Sequence, residues 1–298
     1  MSKTGQSGTD LSLQKGNRLW WNRNPMSYDW HGTLPFPEGS KEFFEEIDAR
    51  FFGSSPFYQG AVPFERLIPF DSLKGKSVLE IGCGLGSHAQ LLSQAGGVLS
   101  AIDLTPRAVE LTRKRLSLNG LKADVTRMDA EKLSFADETF NFIWSWGVIH
   151  HSAHPESILK EAHRVLKPFG EFRLMVYHRR SLSAAINLLR GILSGKIFRG
   201  MSPAEILSHY SDGYVARFYT AGQLSRMLLD SGFEIRSIGP LGQKLELIPL
   251  PGKGALGRLK SALLSLLPDW IAGKLLRQAG SFLFCVAVKP GRGDCAGS

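Results

Sequence analysis

Glycines stand at positions 82, 84 and 86, directly after the run Val78-Leu79-Glu80-Ile81, and Asp103 follows 21 residues after Gly82. Glycines in such a turn let the backbone adopt conformations costly for other residues and approach a ligand closely. A carboxylate at that separation, after a second apolar run, is placed to accept both hydroxyls of an adenosine ribose. Further along, His150, His151 and His154 cluster just beyond another apolar run. An imidazole, with an ordinary pKa near about 6.5, is suited to take a proton from a hydroxyl, so His150 and His151 are candidate bases. The His-His-x-x-His spacing has no carboxylate or cysteine pattern beside it, and no metal is expected. Cys83, inside the glycine turn, reads as a small buried residue rather than a nucleophile.

These groups need a scaffold, and the chain supplies one from residue 76 onward. Short β-rich runs at 77–81, 98–102, 123–128, 140–144 and 171–177 alternate with helical patterns at 87–94, 105–119 and 155–166. That alternation predicts βαβ units and a parallel sheet, with ligands bound at the carboxyl ends of the strands. Downstream, helical patterns at 181–209 and 221–231 precede strands at 233–238 and 281–288, with a long insertion at 239–280 between them. Within the insertion a Leu-rich pattern over 256–276 is interrupted by Pro268, which should break or kink it. Upstream, residues 1–16 are polar and rich in Gly, Ser and Lys, and are expected to be a disordered leader. An aromatic segment over 20–36, with Trp20, Trp21, Tyr28, Trp30 and His31, and a helical pattern over 39–52 follow. The aromatics serve either as core packing or as a lid over a ligand pocket.

Over residues 76–177 the chain resembles the class I S-adenosylmethionine-dependent methyltransferases, in particular the broad group that includes quinone-biosynthesis methyltransferases. Glu80-x-Gly82-x-Gly84-x-Gly86 resembles the first motif, Asp103-Leu104 the ribose-binding segment, and Met128-Asp129-Ala130-Glu131 the adenine-binding one. The stretch 140–151 resembles the fourth motif, and Arg164-Val165-Leu166-Lys167-Pro168-Phe169-Gly170-Glu171 the turn into the fifth strand. Asn141 stands where the family often has Asp, and Phe169 replaces the first of a usual Gly pair. The resemblance implies S-adenosyl-L-methionine as cofactor, held by Glu80, Gly82, Gly84, Gly86, Asp103, Leu104, Asp129, Ala130 and Trp146. It implies an α/β fold with a Rossmann-like, mostly parallel sheet and an antiparallel last strand. The chain then divides, after the leader, into a 17–75 aromatic and helical extension, a 76–180 cofactor core, a 181–219 helical substrate cap, a 220–290 completion of the core with its 239–280 insertion, and a 291–298 flexible tail. Paired histidines in the family often orient their loop, so that role stands beside the catalytic one for His150 and His151.

The segment after the fifth strand builds the acceptor site in such enzymes, which makes Tyr177, His178, Arg179, Arg180, Tyr210, Tyr214, Arg217 and Tyr219 candidate acceptor contacts. An arginine among them could hold a phosphate or carboxylate. Ser145-Trp146-Gly147-Val148 occupies the place where amine methylases of nucleic acids carry an Asn/Asp-Pro-Pro-aromatic motif, so DNA is not an expected partner. A hydroxyl on a small molecule, a lipid-linked intermediate or a glycan is the expected acceptor. The competing readings are a catalytically silent cofactor-binding subunit and a nicotinamide-dependent oxidoreductase, whose usual Gly-x-Gly-x-x-Gly spacing is absent.

Charge is unevenly distributed: residues 1–177 hold 20 Lys/Arg and 20 Asp/Glu, whereas residues 178–298 hold 16 and 7. A basic second part favours an anionic partner, and the cationic, Leu-rich 256–276 pattern suggests peripheral contact with an anionic membrane face. Cys83, Cys285 and Cys295 match neither a disulfide framework nor a zinc site, and with no long uncharged apolar run the expected setting is cytoplasmic, with that membrane contact peripheral.

Overall fold

The first strand, β1 (Ser77–Ile81), pairs in parallel with both β2 (Val98–Asp103) and β4 (Phe140–Trp146). Its residues alternate between two apolar faces, Leu79 and Ile81 packing in one cluster and Val78 in the other, as expected of a central strand covered on both sides. The computed structural model describes residues 10–28, 34–54, 56–250 and 254–291. The sheet order is β3-β2-β1-β4-β5-β8-β7, where β3 is Asp124–Arg127, β5 Leu166–His178, β7 Glu234–Leu241 and β8 Phe282–Val288. Strand β8 runs antiparallel to both β5 and β7, while the pairs from β3 to β5 are parallel. The sheet is therefore the Rossmann-like arrangement expected, with its strand order reversing beside β1.

The covering helices form for local reasons. Thr105 caps α4 (Pro106–Leu118) by accepting from the Ala108 N–H, with Pro106 in the first turn. Helices α3 (Ser87–Gln94) and α4 pack on one face through Ala89, Leu92, Val109 and Leu116. Helices α5 (Pro155–Val165) and α8 (Ala221–Asp230) cover the other through Ile158, Leu159, Leu224 and Leu228. A reciprocal Thr220–Gln223 capping box starts α8.

Several boundaries differ from the expectation. The disordered leader was expected to reach Gly16, but α1 (Asp10–Arg23) begins inside it. Its inward side chains find polar partners on the sheet edge, which periodicity cannot reveal. Residues 1–9, Trp30, His31 and 292–298, with Cys295 among them, lie outside the described residues. The helix expected over 39–52 is α2 (Lys41–Gly53), capped by Ser40. The 181–209 region is two helices, α6 (Leu182–Leu193) and α7 (Pro203–His209), because Gly195 and Gly200 adopt positive φ between them. Pro268 does break the Leu-rich helix, ending α9 (Gly254–Leu266) and preceding α10 (Asp269–Ala279). A two-residue strand, β6 (Phe218–Tyr219), was not anticipated; it pairs with Tyr177 and His178 at the end of β5. Phe169, in place of glycine, holds a left-handed φ of 61°.

Candidate active site

The glycine turn is anchored by backbone bonds to the neighbouring strand: the N–H groups of Gly82 and Cys83 both donate to the Ile102 carbonyl, at 2.8 and 3.0 Å. Gly82 has φ +80°, and a Cβ there would lie 2.2 Å from Val148 Cγ2, so glycine is required both by conformation and by close approach. Gly84, at φ +53°, would point a Cβ into open space inside the same cavity. Gly86 begins α3 against Thr112 and Arg115 and does not line the cavity. Arg115 is buried, donates to the Leu85 carbonyl at 3.4 Å and pairs with Asp48, so a fixed cation supports the turn from below.

Asp103 ends β2 with both carboxylate oxygens held by the chain. One oxygen accepts from the Gly84 N–H at 3.1 Å, and the other from the N–H and hydroxyl of Thr105 at 2.8 and 2.9 Å. Burial raises its pKa, and these donors pull it back. Glu80 lies behind the turn, buried and outside the lining, with His88 Nδ1 3.9 Å away. Burial, aided by Asp103, pushes the Glu80 carboxyl well up despite Arg115, while burial lowers His88 to about 3. His88 is thus neutral at physiological pH, and the contact is not an ion pair.

Leu104, Asp129 and Ala130 continue the cavity wall. The part sequence reasoning missed is α1. The Gln14 amide donates to both oxygens of Asp129, the Asn17 amide donates to the His151 carbonyl at 2.5 Å, and the Trp21 ring meets the His151 ring edge-on at 4.9 Å. No apolar periodicity marks these residues as cavity wall; only the aromatic pair Trp20-Trp21 offered a hint.

At the other end, Trp146 stacks on Trp144 at 5.7 Å and 9° and faces the cavity beside Met175, Tyr177, Phe218 and Phe282. His151 also lines it, and its Nδ1 lies 2.7 Å from the Val215 carbonyl. A carbonyl only accepts, so Nδ1 carries the proton and Nε2 is the basic nitrogen. His150 is fully buried outside the lining, its ring 3.8 Å from that of Tyr177, with neither nitrogen hydrogen-bonded. Burial, then the neighbouring His151, holds it well below the ordinary value, so it is a neutral packing ring and not a base open to the cavity.

Of the acceptor candidates, Tyr177 and Tyr210 line the cavity, and the others do not. His178 is buried against the Gly280 carbonyl, and Arg179 and Arg180 are exposed. Tyr214 packs on Gly16, and Tyr219 is buried in the core cluster with α5 and α8. Arg217 is spent on backbone: its guanidinium donates to the carbonyls of Ser152 and Ala153, and its N–H to that of His150. It pins the histidine turn and does not line the cavity. Asn187, Asp212 and Gln243, which carried no sequence signal, complete the wall.

The cavity measures about 470 Å³. Among the described residues lining it are three aspartates, Asp103, Asp129 and Asp212, and no lysine or arginine. A nucleoside bearing a sulfonium and an ammonium fits that polarity. Gln14 Oε1 and Asn17 Oδ1, buried acceptors without hydrogen-bond partners, are further matched to a ligand rich in N–H and O–H donors. The groups expected to meet S-adenosyl-L-methionine are thus gathered at one cavity, except Glu80 and Gly86, which shape it from behind.

Residues 79–174 match a family model described as "Methyltransferase domain". The chain is 29% identical over 181 residues to "Methyltransferase GfsG" of Streptomyces halstedii, covering 59% of this chain and 62% of that protein. It is 31% identical over 169 residues to "Phthiotriol/phenolphthiotriol dimycocerosates methyltransferase 1" of Mycobacterium ulcerans, covering 56% and 59%. The chain spans about three-fifths of the length of these curated relatives. A solved S-adenosylmethionine-dependent methyltransferase from Methanosarcina mazei shares the fold, with a TM-score of 0.52 at 19% identity over 74% of this chain and 95% of that one. The family match falls on the strands that carry the glycine turn, Asp103, Asp129 and the histidine turn, so residues 79–174 are a methyltransferase domain, similar to those of S-adenosylmethionine-dependent methyltransferases.

Proposed function

We propose that the protein transfers the methyl group of S-adenosylmethionine to a hydroxyl of an uncharged, largely apolar small molecule or lipid-linked acceptor. The observation that carries this reading is the cavity's polarity: Met175, Phe218 and Phe282 face it with Tyr177, Asn187 and Gln243, and among the described residues lining it there is no lysine or arginine to hold a phosphate or carboxylate. The mycobacterial relative, named for phthiotriol and phenolphthiotriol dimycocerosates, supports a lipid-like acceptor.

When bound, S-adenosylmethionine would supply an electrophilic methyl carbon: the acceptor oxygen would bond to it as the carbon–sulfur bond breaks, with neutral S-adenosylhomocysteine as the leaving group. The chain's own residues align that oxygen and relieve it of its proton. His151, held in the Nδ1–H form by the Val215 carbonyl, presents Nε2 as the base. His150 and Arg217 fix the turn that carries it. Trp146, Phe282 and Trp21 exclude water from the cavity.

The test is transfer of labelled methyl to a panel of neutral lipid alcohols and phenols, carboxylates and amines, with wild type and His151→Phe. Turnover confined to neutral hydroxyls and lost in the variant, with cofactor affinity kept, supports the reading. Preference for carboxylates or amines overturns the acceptor class. Tight cofactor binding with no turnover on any class would favour the silent binding subunit.

A further inference from the structure

Helix α6 is amphipathic in the reverse sense. Its polar residues Ser183 and Asn187 face the internal cavity, while Leu189, Ile192 and Leu193 face solvent, Leu193 at 78% exposure. The short helical turn that follows, Ile197–Arg199, leaves Phe198 82% exposed. Helix α9 also turns leucines outward: Leu256, Leu259, Leu263 and Leu266 are all exposed and follow one another at intervals of three, four and three residues, one continuous stripe. Trp270 in α10 adds a 72% exposed indole. A single exposed leucine is ordinary. Here, however, eleven of the nineteen large apolar side chains exposed among the described residues fall within 189–198 and 256–275.

The two stretches belong to neighbouring elements. Both α6 and α10 pack on the turn Lys244–Leu247, and Ser183 Oγ lies 2.6 Å from Ser281 Oγ, just beyond α10. Charge is concentrated in the same places. Residues 179–203 and 248–281 together hold ten Lys/Arg and one acidic residue, Asp269, a balance equal to the chain's whole net charge of +9. Asp269 is itself paired with Lys244.

We infer that α6, the 197–199 turn, α9 and Trp270 form a surface that docks onto an anionic lipid bilayer. Exposed Leu, Phe and Trp among Lys and Arg, with almost no acid, match an acyl boundary beneath negative headgroups. A second copy of the chain fits poorly, because a symmetric contact would set one basic stretch against the same basic stretch. Bare phosphate backbones would leave the leucine stripe in water. Docked this way, α6 lies on the membrane with Ser183 and Asn187 on its inner side, which sets the wall of the proposed acceptor site next to the bilayer. Docking through this face requires no methyl transfer, and only the placing of the acceptor wall rests on the proposed function.

The experiment is co-sedimentation of the full chain with vesicles of equal parts phosphatidylglycerol and phosphatidylcholine, and with phosphatidylcholine alone, at low and high salt. Trp270 fluorescence is followed by comparison with Trp270→Phe. The variants are Leu263→Ser/Leu266→Ser and Leu193→Ser/Phe198→Ser, which change exposed positions, with melting checked. Wild type should bind the anionic vesicles, less so in salt, with a blue shift absent in Trp270→Phe, and each serine pair should weaken binding by about tenfold. Failure to bind, equal binding to neutral vesicles, or undiminished binding by folded serine variants would overturn the proposal. A change from dimer to monomer in those variants, without any change in vesicle binding, would likewise overturn it and assign the face to self-association.

Discussion

The side-chain amide of Gln14 donates to both carboxylate oxygens of Asp129, at 2.9 and 3.0 Å, across 115 residues of sequence. A carboxylate has about four acceptor directions, so Asp129 can hold this amide and still accept from an adenine amino group. Gln14 Oε1, buried and without a partner, is a second acceptor beside it. Gln14→Ala should therefore weaken cofactor binding by about tenfold, the worth of roughly one hydrogen bond, and Asp129→Ala by more. Calorimetric titration with S-adenosylhomocysteine checks this; tighter binding by Gln14→Ala would show instead that the amide must be displaced.

Gly82 and Gly84 separate conformational strain from ligand space. Alanine at 82 meets Val148 at 2.2 Å as well as an unfavourable φ, so Gly82→Ala should cost about 2–4 kcal/mol of stability. Alanine at 84 meets nothing, so Gly84→Ala should cost about 1–2 kcal/mol through φ alone while its methyl intrudes on the cofactor's space. Denaturant melts paired with cofactor titration should find the first variant unstable and the second folded but weakly binding. Equal stabilities would refute the distinction.

Gly213, at φ +86°, would place a Cβ 2.6 Å from His151 Nδ1. Alanine there must shift either the imidazole or the 211–215 segment that fixes its tautomer. Turnover should fall by about tenfold or more with cofactor affinity unchanged, because the displaced group is on the proton-accepting side. If kcat is preserved in Gly213→Ala, His151 is not the base.

Acid should destabilise the fold through its buried imidazoles. His88, lowered to about 3, and His150, lowered well below its ordinary value, are neutral when folded but take protons near pH 6.5 when unfolded. The unfolded state then binds more protons, so stability is complete above about 6.5 and declines as pH falls from there toward about 3. Urea midpoints measured between pH 7.5 and 5 should drop in wild type and flatten in a His88→Phe/His150→Phe double variant. A parallel drop in both would assign the acid limb to other groups.

The central sheet and the glycine turn were legible because each rests on local chemistry: apolar runs of strand length, a turn that needs positive φ, and Thr105-Pro106 opening a helix. The acceptor side was not. Arg217 and His178 carry the residue types of a binding site, yet their partners are backbone carbonyls, which composition does not show. Helix α1 was misread because its inward residues Gln14 and Asn17 are polar; the wall it forms is stabilised by long-range hydrogen bonds, not by an apolar stripe. Strand β6, two residues long, has no period to detect.

The place of β8 between β5 and β7 has a consequence for synthesis. Strand β5 ends at His178, but the strand that pairs along its open side begins only at Phe282, and Leu283, Cys285 and Ala287 are wholly buried when it arrives. A ribosome must therefore deliver the cap, α8, β7 and the leucine-rich helices before the sheet can close. Until then the nascent chain carries an unpaired edge and an unfilled core, with the exposed leucines of α6 already emerged. The protein is most in need of a chaperone, or of a nearby surface, just before its last strand is made.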